Sequence, residues 1–471
     1  MKVESHSIDY IPEKERYGKA RDLFPVWFAA NMNITALVTG ALLITLGLNL
    51  FWSCLSILIG VCLGAFFMAS HSAQGARLGI PQMIQSRAQF GVLGAIIPMI
   101  FVMFVYLGFS VSNTVLAAQA LSGVISMDST WVIILVSIAC FIIALYGYKL
   151  IHKTQKWFSW ISFVFFFIAT ILALRIPMPE GQWTADGFQL STFLVGVSIA
   201  ATYQLSFGPY VADYSRYLPT RTPASKIFWF TFGGSTVSTL WMMILGAIFT
   251  VVIPNYLDNS GGHLANQFGS FSPVMYILIV YGLIAINVFN FYGAFMSTVT
   301  TIQPFMKLRF NQMNRLIILS AITIVSIILS ILGQGDFVTF FLNFIFFMNY
   351  FLIPWTAINL VDYYLIRRGN YDIGDIFKVD GRYGKVRWLA IVAFLLAIAL
   401  EMPFMNTTFY VGPVVEYLDG IDLAWVVGLI AASLIYYIPM KASIRKSGEM
   451  SNIPQFTGNI SDNTVEFNET K

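Results

Sequence analysis

About twelve apolar runs, each near the twenty residues a helix needs to cross a hydrocarbon core, follow one another along this chain with short polar joints between them. Nothing else in the sequence constrains the fold as strongly. In hydrocarbon every peptide group must be paired within its own element, so runs of this length are expected as helices. They lie near 27–47, 51–70, 92–121, 130–148, 157–175, 190–211, 227–253, 274–298, 315–333, 340–366, 387–404 and 422–440. Only 11% of the 471 residues are charged, against roughly 25% in soluble domains. The expected fold class is therefore an all-α polytopic membrane protein.

Lys and Arg report orientation, because positively charged loops stay cytoplasmic. With the N-terminus inside, all of the 27 basic residues except Arg175 fall on the cytoplasmic side. That pattern predicts an even number of spans, both termini in the cytoplasm and a plasma-membrane location. The formal charge of +4 is then a topology signal, and nucleic acid is not an expected partner. Residues 1–26 read as a solvated cytoplasmic tail and 441–471 as a second, polar one, with the membrane domain between them over 27–440. Residues 1–26 carry no cleavable-signal pattern, so the first span is expected to serve for insertion. Cys54, Cys62 and Cys140 fall in apolar runs and suggest buried hydrophobes, not disulfides.

Two runs are interrupted. The first carries Asn31-Met32-Asn33 in mid-span, and the sixth carries Ser206-Phe207-Gly208-Pro209 before a charged exit, Asp213 to Tyr217. Broken backbone inside a membrane is tolerated where it lines a protected cavity. Each break opens a possible five-helix unit, 27–175 and 190–366, with further helices over 387–440. Interruptions in corresponding positions of two halves point to an inverted-repeat transporter with a midplane site.

Ionisable groups within a membrane are expensive and default to function. The reading places all four histidines, His6, His71, His152 and His263, in loops or tails, and only Asp213 and Glu401 touch spans. No phosphate-binding loop, zinc helix or nucleophile elbow is present. No catalytic residue, metal site or cofactor is expected. Neutral polar groups and aromatics remain: Tyr106, Ser110 and Asn113 at i, i+4 and i+7 in the third run; Gln204, Ser206 and Phe207 in the sixth; Asn287 and Asn290 in the eighth. A carboxamide pairs with the edge of a flat heterocycle, and aromatic rings cover its faces. The plainer reading is that such groups hydrogen-bond helices together. Trp27, Trp131, Trp157 and Trp160 lie near span ends and fit interfacial anchoring.

The motifs Ile8-Asp-Tyr-Ile-Pro-Glu13, Trp27-Phe-Ala-Ala-Asn-Met-Asn33, Gln82-Met-Ile-Gln-Ser-Arg-Ala-Gln-Phe-Gly91, Ala212-Asp-Tyr-Ser-Arg-Tyr-Leu-Pro219 and Asn287-Val-Phe-Asn-Phe-Tyr292 occur in this order. Over about residues 8–440 the chain resembles the nucleobase:cation symporter-1 family, within it the purine-cytosine permease branch. That resemblance implies a LeuT-type fold of two inverted five-helix repeats plus two C-terminal helices. It also implies symport of a purine, cytosine or related heterocycle with Na+ or H+. By motif position, Tyr106 stands where the family often has a stacking Trp, Gln204 to Phe207 form the stacking and backbone-contact segment, and Asn287 and Asn290 match the paired asparagines of purine-cytosine permeases.

The family's sodium site implies carbonyl ligands at Ala29 and Asn33 together with hydroxyls in the eighth run. After Asn287, however, no Ser or Thr occurs before Ser297. The same reading finds no carboxylate or histidine in mid-span to carry a proton, so the ion stays open between Na+ and H+. The expectation is a secondary active transporter importing a planar nitrogenous heterocycle, a purine or cytosine first. An allantoin, hydantoin or thiamine-precursor permease is the alternative, with a non-transporting membrane nutrient sensor behind it.

Overall fold

The computed structural model describes residues 9–122, 124–305 and 312–449, leaving out the side chains of 146–159 and 312. Leu23–Ala30 (α1) and Ile34–Thr45 (α2) are the halves of the first run and meet at a 62° bend. Leu50–Leu78 (α3) ends at Gly79 in the left-handed region (φ +67°), and the buried helix Gln82–Phe90 (α4) turns back from it. Ile96–Ser122 (α5) follows. Ser129–Ile142 (α6) then runs through a π-helical turn into Tyr148–Ala173 (α7). Leu190–Leu205 (α8) and Gly208–Ser215 (α9) form the second interrupted run, before Ala224–Val252 (α10) and the short Ser260–Asn266 (α11). Ser272–Ile302 (α12), Gln312–Gly333 (α13) and Phe337–Leu360 (α14) come next. Ile373–Ile376 (α15), Trp388–Glu401 (α16) and Ala424–Ser447 (α17) complete the order.

Among the described residues, eight helices are long and apolar enough to span a membrane, and α1 with α2 makes a ninth. Three shorter apolar helices, Ser129–Leu145, Trp160–Ala173 and Trp388–Phe404, coincide with other expected spans. The described residues contain no strand, only an isolated bridge between Asn406 and Val411.

Local chemistry explains both interruptions. Asn33 joins α1 to α2: its Nδ2 donates to the Ala30 carbonyl at 2.9 Å while its Oδ1 accepts from the Ala36 N–H at 2.9 Å. One side chain thus satisfies an orphan acceptor and an orphan donor, a cap worth about 1 kcal/mol. At the second interruption the Ser206 hydroxyl turns back to the Tyr203 carbonyl at 2.6 Å, and Pro209 stands in the first turn of α9, where its missing N–H is harmless.

The helices pack in groups. α1, α2, α3, α8, α9 and α10 form one; α5, α6, α12 and α13 form another; α14, α16 and α17 form a third. Within the first group the main chains touch. A Cβ at Gly40 would lie 2.0 Å from the Met243 carbonyl oxygen, and one at Gly246 would lie 1.9 Å from that of Leu37, so only glycine allows α2 to approach α10 this closely.

The structure corrects several expectations. α3 continues past residue 70 to Leu78, which places His71 inside it, fully buried, and not in a loop. Asp362 and Glu401 are likewise buried, so carboxylates and a histidine do lie within the packed interior. The tail before α1 is not simply solvated. Ile11 donates its N–H to the Gly79 carbonyl, and the buried Arg16 reaches the Ala76 carbonyl at 2.5 Å. Trp27 is no interfacial anchor, being 1% exposed, whereas Trp131 and Trp160 are exposed; the Trp157 side chain lies outside the described residues.

Candidate functional site

The two interrupted helices bring aromatic side chains together. Trp27 of α1 presents an edge to Phe207 at 5.8 Å and to Tyr214 of α9 at 5.1 Å. Phe207 meets Tyr203 of α8 and Tyr210 of α9, each at 5.8 Å. Tyr210 lies 5.5 Å from Tyr106 of α5 with the rings 30° apart, and Phe109 of α5 stands edge-on to Tyr203 at 6.2 Å. The cluster therefore bridges the first helix group and α5 of the second. Tyr106, Phe109 and Phe207 are exposed by only 8–9%, so the site is closed to solvent here. Gly293 of α12 backs Tyr106: a Cβ there would fall 2.4 Å from Tyr106 Cε1.

Polar groups surround the rings. Asn290 precedes Gly293 by three residues and so shares its helix face. It is half-buried, and its Nδ2 lies 3.5 Å from Asn287 Oδ1. Asn287 is buried and donates to Thr114 Oγ1 at 2.9 Å, with Cys140 Sγ at 3.8 Å. Asn287 is thus held from α5 and α6, and Asn290 is the more accessible of the pair. Asn33 and Ala29 are half-buried at the first interruption.

Other expected residues face elsewhere. Ser110 pairs with Ser326 of α13 at 2.8 Å, and Asn113 accepts from Thr35 of α2 at 2.6 Å, so the polar face expected along α5 divides between two neighbours. Gln204 is fully buried; its Oε1 accepts from Ser235 of α10 at 2.9 Å, and Ser235 also accepts from Asn31 at 3.0 Å. This network ties the two interruptions to α10. Gln204 Nε2 and Asn31 Oδ1 are buried without a partner, a local polar reserve beside both breaks. Asp213 Oδ1 accepts the Gln82 N–H at 2.7 Å and so holds the start of α4.

The threonine hydroxyls Thr298, Thr300 and Thr301 of α12 are turned to carbonyls of their own helix and not to the first interruption. Thr298 and Thr301 also face the sulfurs of Met103 and Met99 on α5. Among the described residues no group of three or more His, Cys, Asp or Glu is arranged to hold a metal. A narrow, mostly apolar crevice lined by Leu63, Phe67, Val197, Ile353 and Trp425, with Asn349 donating to Ser198 at 3.0 Å in its wall, includes none of the clustered aromatics. Its lining suits packing or lipid contact better than recognition of a polar heterocycle.

Sequence reasoning passed over Tyr210 and Gly293 and read Trp27 as an interfacial anchor. Tyr210 was legible, since it follows the Gly208-Pro209 break directly, but the others depend on contacts between distant runs.

The family profile described as permease for cytosine/purines, uracil, thiamine and allantoin matches residues 10–428. A putative purine-cytosine permease of Bacillus subtilis is 55% identical over 446 residues, covering 95% of this chain and 98% of that one. The purine-cytosine permease of Emericella nidulans is 27% identical over 458 residues, covering 93% and 88%. Among solved structures, the nucleobase-cation-symport-1 family transporter MHP1, in a closed conformation with bromovinylhydantoin bound, superposes with a TM-score of 0.72 at 18% identity, covering 95% of this chain and 99% of that one. The expected fold is the one this transporter has.

Proposed function

This chain belongs to the permease family for cytosine/purines, uracil, thiamine and allantoin, and from that premise we propose that it imports a purine or cytosine in symport with Na+ or H+. It is a secondary transporter of nucleobase-like molecules. The observation that carries the finer reading is the aromatic cluster spanning two interrupted helices, with a half-buried asparagine on the face beside it. Tyr106 and Phe207 cover the faces of a flat ring, and Asn290 reads its amide-like edge while Asn287 orients Asn290. Gln204, Ser206, Ser110 and Asn113 hold the surrounding helices in register. The Ala29 and Asn33 carbonyls are the candidate cation ligands.

Transport follows by rocking the first helix group against the second, with repeats near 27–175 and 190–366. The protein works in the plasma membrane with both termini cytoplasmic, and it performs no covalent chemistry on its ligand. Uptake of labelled cytosine, adenine, hypoxanthine and uracil, measured with and without Na+ and with a proton uncoupler, tests this. Saturable uptake competed by excess unlabelled base is the expected result. A panel in which none of these bases competes, and allantoin or a hydantoin does, would overturn the nucleobase assignment.

A further inference from the structure

His71 is a buried imidazole that abuts an interrupted helix. His71 of α3 has no solvent exposure, and its ring stacks on Trp355 of α14 with centroids 4.7 Å apart and planes 11° from parallel. A Cβ placed at Gly208, the first residue of α9, would lie 3.5 Å from Trp355 Cζ3 and 3.6 Å from His71 Cδ2. The imidazole and indole together are therefore the wall on which the α8–α9 break rests.

Both ring nitrogens have partners. Nε2 is 3.3 Å from Thr356 Oγ1, and Nδ1 is 3.3 Å from Gln82 Nε2. This arrangement fits a neutral ring, with Nε2–H donating to Thr356 and Nδ1 accepting from the Gln82 amide. The same surroundings also provide for a second proton. Gln82 Oε1 is buried with no partner, which is an unfavourable state for an acceptor. A half-turn of the amide exchanges its nitrogen and oxygen, presenting Oε1 to a protonated Nδ1 and giving up the contact of Nε2 with Gln85 Oε1 at 3.5 Å. The Trp355 face stabilises a charged ring stacked on it.

The charged neighbours are few. Asp213 of α9 is linked to His71 through Gln82, whose N–H it accepts. On α4, Arg87 turns away to the Thr300 carbonyl and Gln303, and on α3, Arg77 reaches Asn370. Beyond α14, Asp362 is engaged by Arg367, Tyr371 and Tyr436. Asp213 is the carboxylate this link joins to His71, and the buried cation Arg216 lies three residues further on, at the end of α9.

We infer that His71 carries the coupled proton of the transport cycle and that the Gln82 amide is the switch that accommodates it. Nδ1 takes a proton from bulk water while the site is open outward, Gln82 turns its oxygen to hold it, and the proton leaves to the cytoplasm when the site opens inward. Contact with Gly208 links that change of charge to the α8–α9 break. The inference rests on the transporter reading and commits it to H+.

Full-length protein in sodium-free proteoliposomes tests it with labelled cytosine, or whichever base the uptake panel identifies. Wild type should exchange base in counterflow and accumulate it under an inward-directed proton gradient. His71→Gln should retain measurable counterflow while gradient-driven accumulation falls by about tenfold or more. Gln82→Leu, which keeps the imidazole but removes its acceptor, should shift the pH profile of accumulation to lower pH. Proton-driven accumulation by His71→Gln at the wild-type level would overturn the inference, as would an unshifted profile in Gln82→Leu. Wild-type accumulation driven by Na+ and not by protons would overturn it while leaving the transporter reading intact. Absence of counterflow with any base in wild type would overturn that reading itself.

Discussion

Gly293→Ala is the sharpest probe of the aromatic wall. The added Cβ would sit 2.4 Å from Tyr106 Cε1, 2.5 Å from Cζ and 2.9 Å from Cδ1, where ordinary contact begins at 3.4 Å. The ring must therefore recede by about 1 Å, and on its other side Tyr210 stands with its centroid 5.5 Å away. That movement takes volume a flat ligand would fill. Overpacking of this kind costs about 1–3 kcal/mol, which corresponds to roughly 5- to 150-fold in affinity. The KM for base uptake should rise by that factor, while fluorescence-detected size exclusion shows a normally folded, normally expressed protein. Tyr106→Leu in the Gly293→Ala background should relieve the clash and recover part of the stability lost. A KM within twofold of wild type in well-expressed Gly293→Ala would refute the placement of Tyr106 at the ligand wall.

Two further outcomes follow from other contacts. Asn290→Ala should raise KM by about 5- to 30-fold with little loss of thermal stability, because a ligand-facing polar contact is worth about 1–2 kcal/mol; Asn287→Ala should raise KM and also lower thermal stability, since it leaves the buried Thr114 hydroxyl without its donor. Equal stability loss in the two variants would remove the distinction between reader and support. At the cytoplasmic end, Glu449 bridges Arg367 at 2.7 Å and Arg387 at 2.8 Å. Burial alone would raise its carboxyl, but the two arginines hold it below the ordinary glutamate value of 4.5. A depressed carboxyl stabilises above its unfolded pKa and loses that stabilisation as pH falls through the folded one. Hydrogen exchange in the 367–387 loop should therefore stay slow at neutral pH and rise only below the usual glutamate range, whereas Glu449→Gln should raise it at neutral pH; a loop indifferent to Glu449→Gln would contradict the clamp.

The order of the helices and both interruptions were legible because membrane burial imposes a length and Gly, Pro or Asn breaks it visibly. Where helices leave the apolar layer the signal fades. α3 runs on through His71, Ser72 and Gln74, whose polarity looks like a loop but is satisfied by Thr356, Thr231 and Asn359 on other helices. α4 is polar yet buried, so its sequence reads as a loop motif. At the site, residue type alone could not distinguish Asn290, half-exposed beside the rings, from Asn113, bonded to Thr35. Helical spacing puts Tyr106, Ser110 and Asn113 along one side of α5, but which neighbour each meets depends on how distant helices cross.

The backbone contact of α2 with α10 through Gly40 and Gly246 has a consequence for how selectivity can diversify. Two helices joined main chain to main chain tolerate almost no side-chain change along their seam, whereas in the proposed site α5 and α12 meet the ligand with side chains. A chain built this way can acquire a new ligand by exchanging residues such as Tyr106 and Asn290 while the rigid half of its machinery stays as it is.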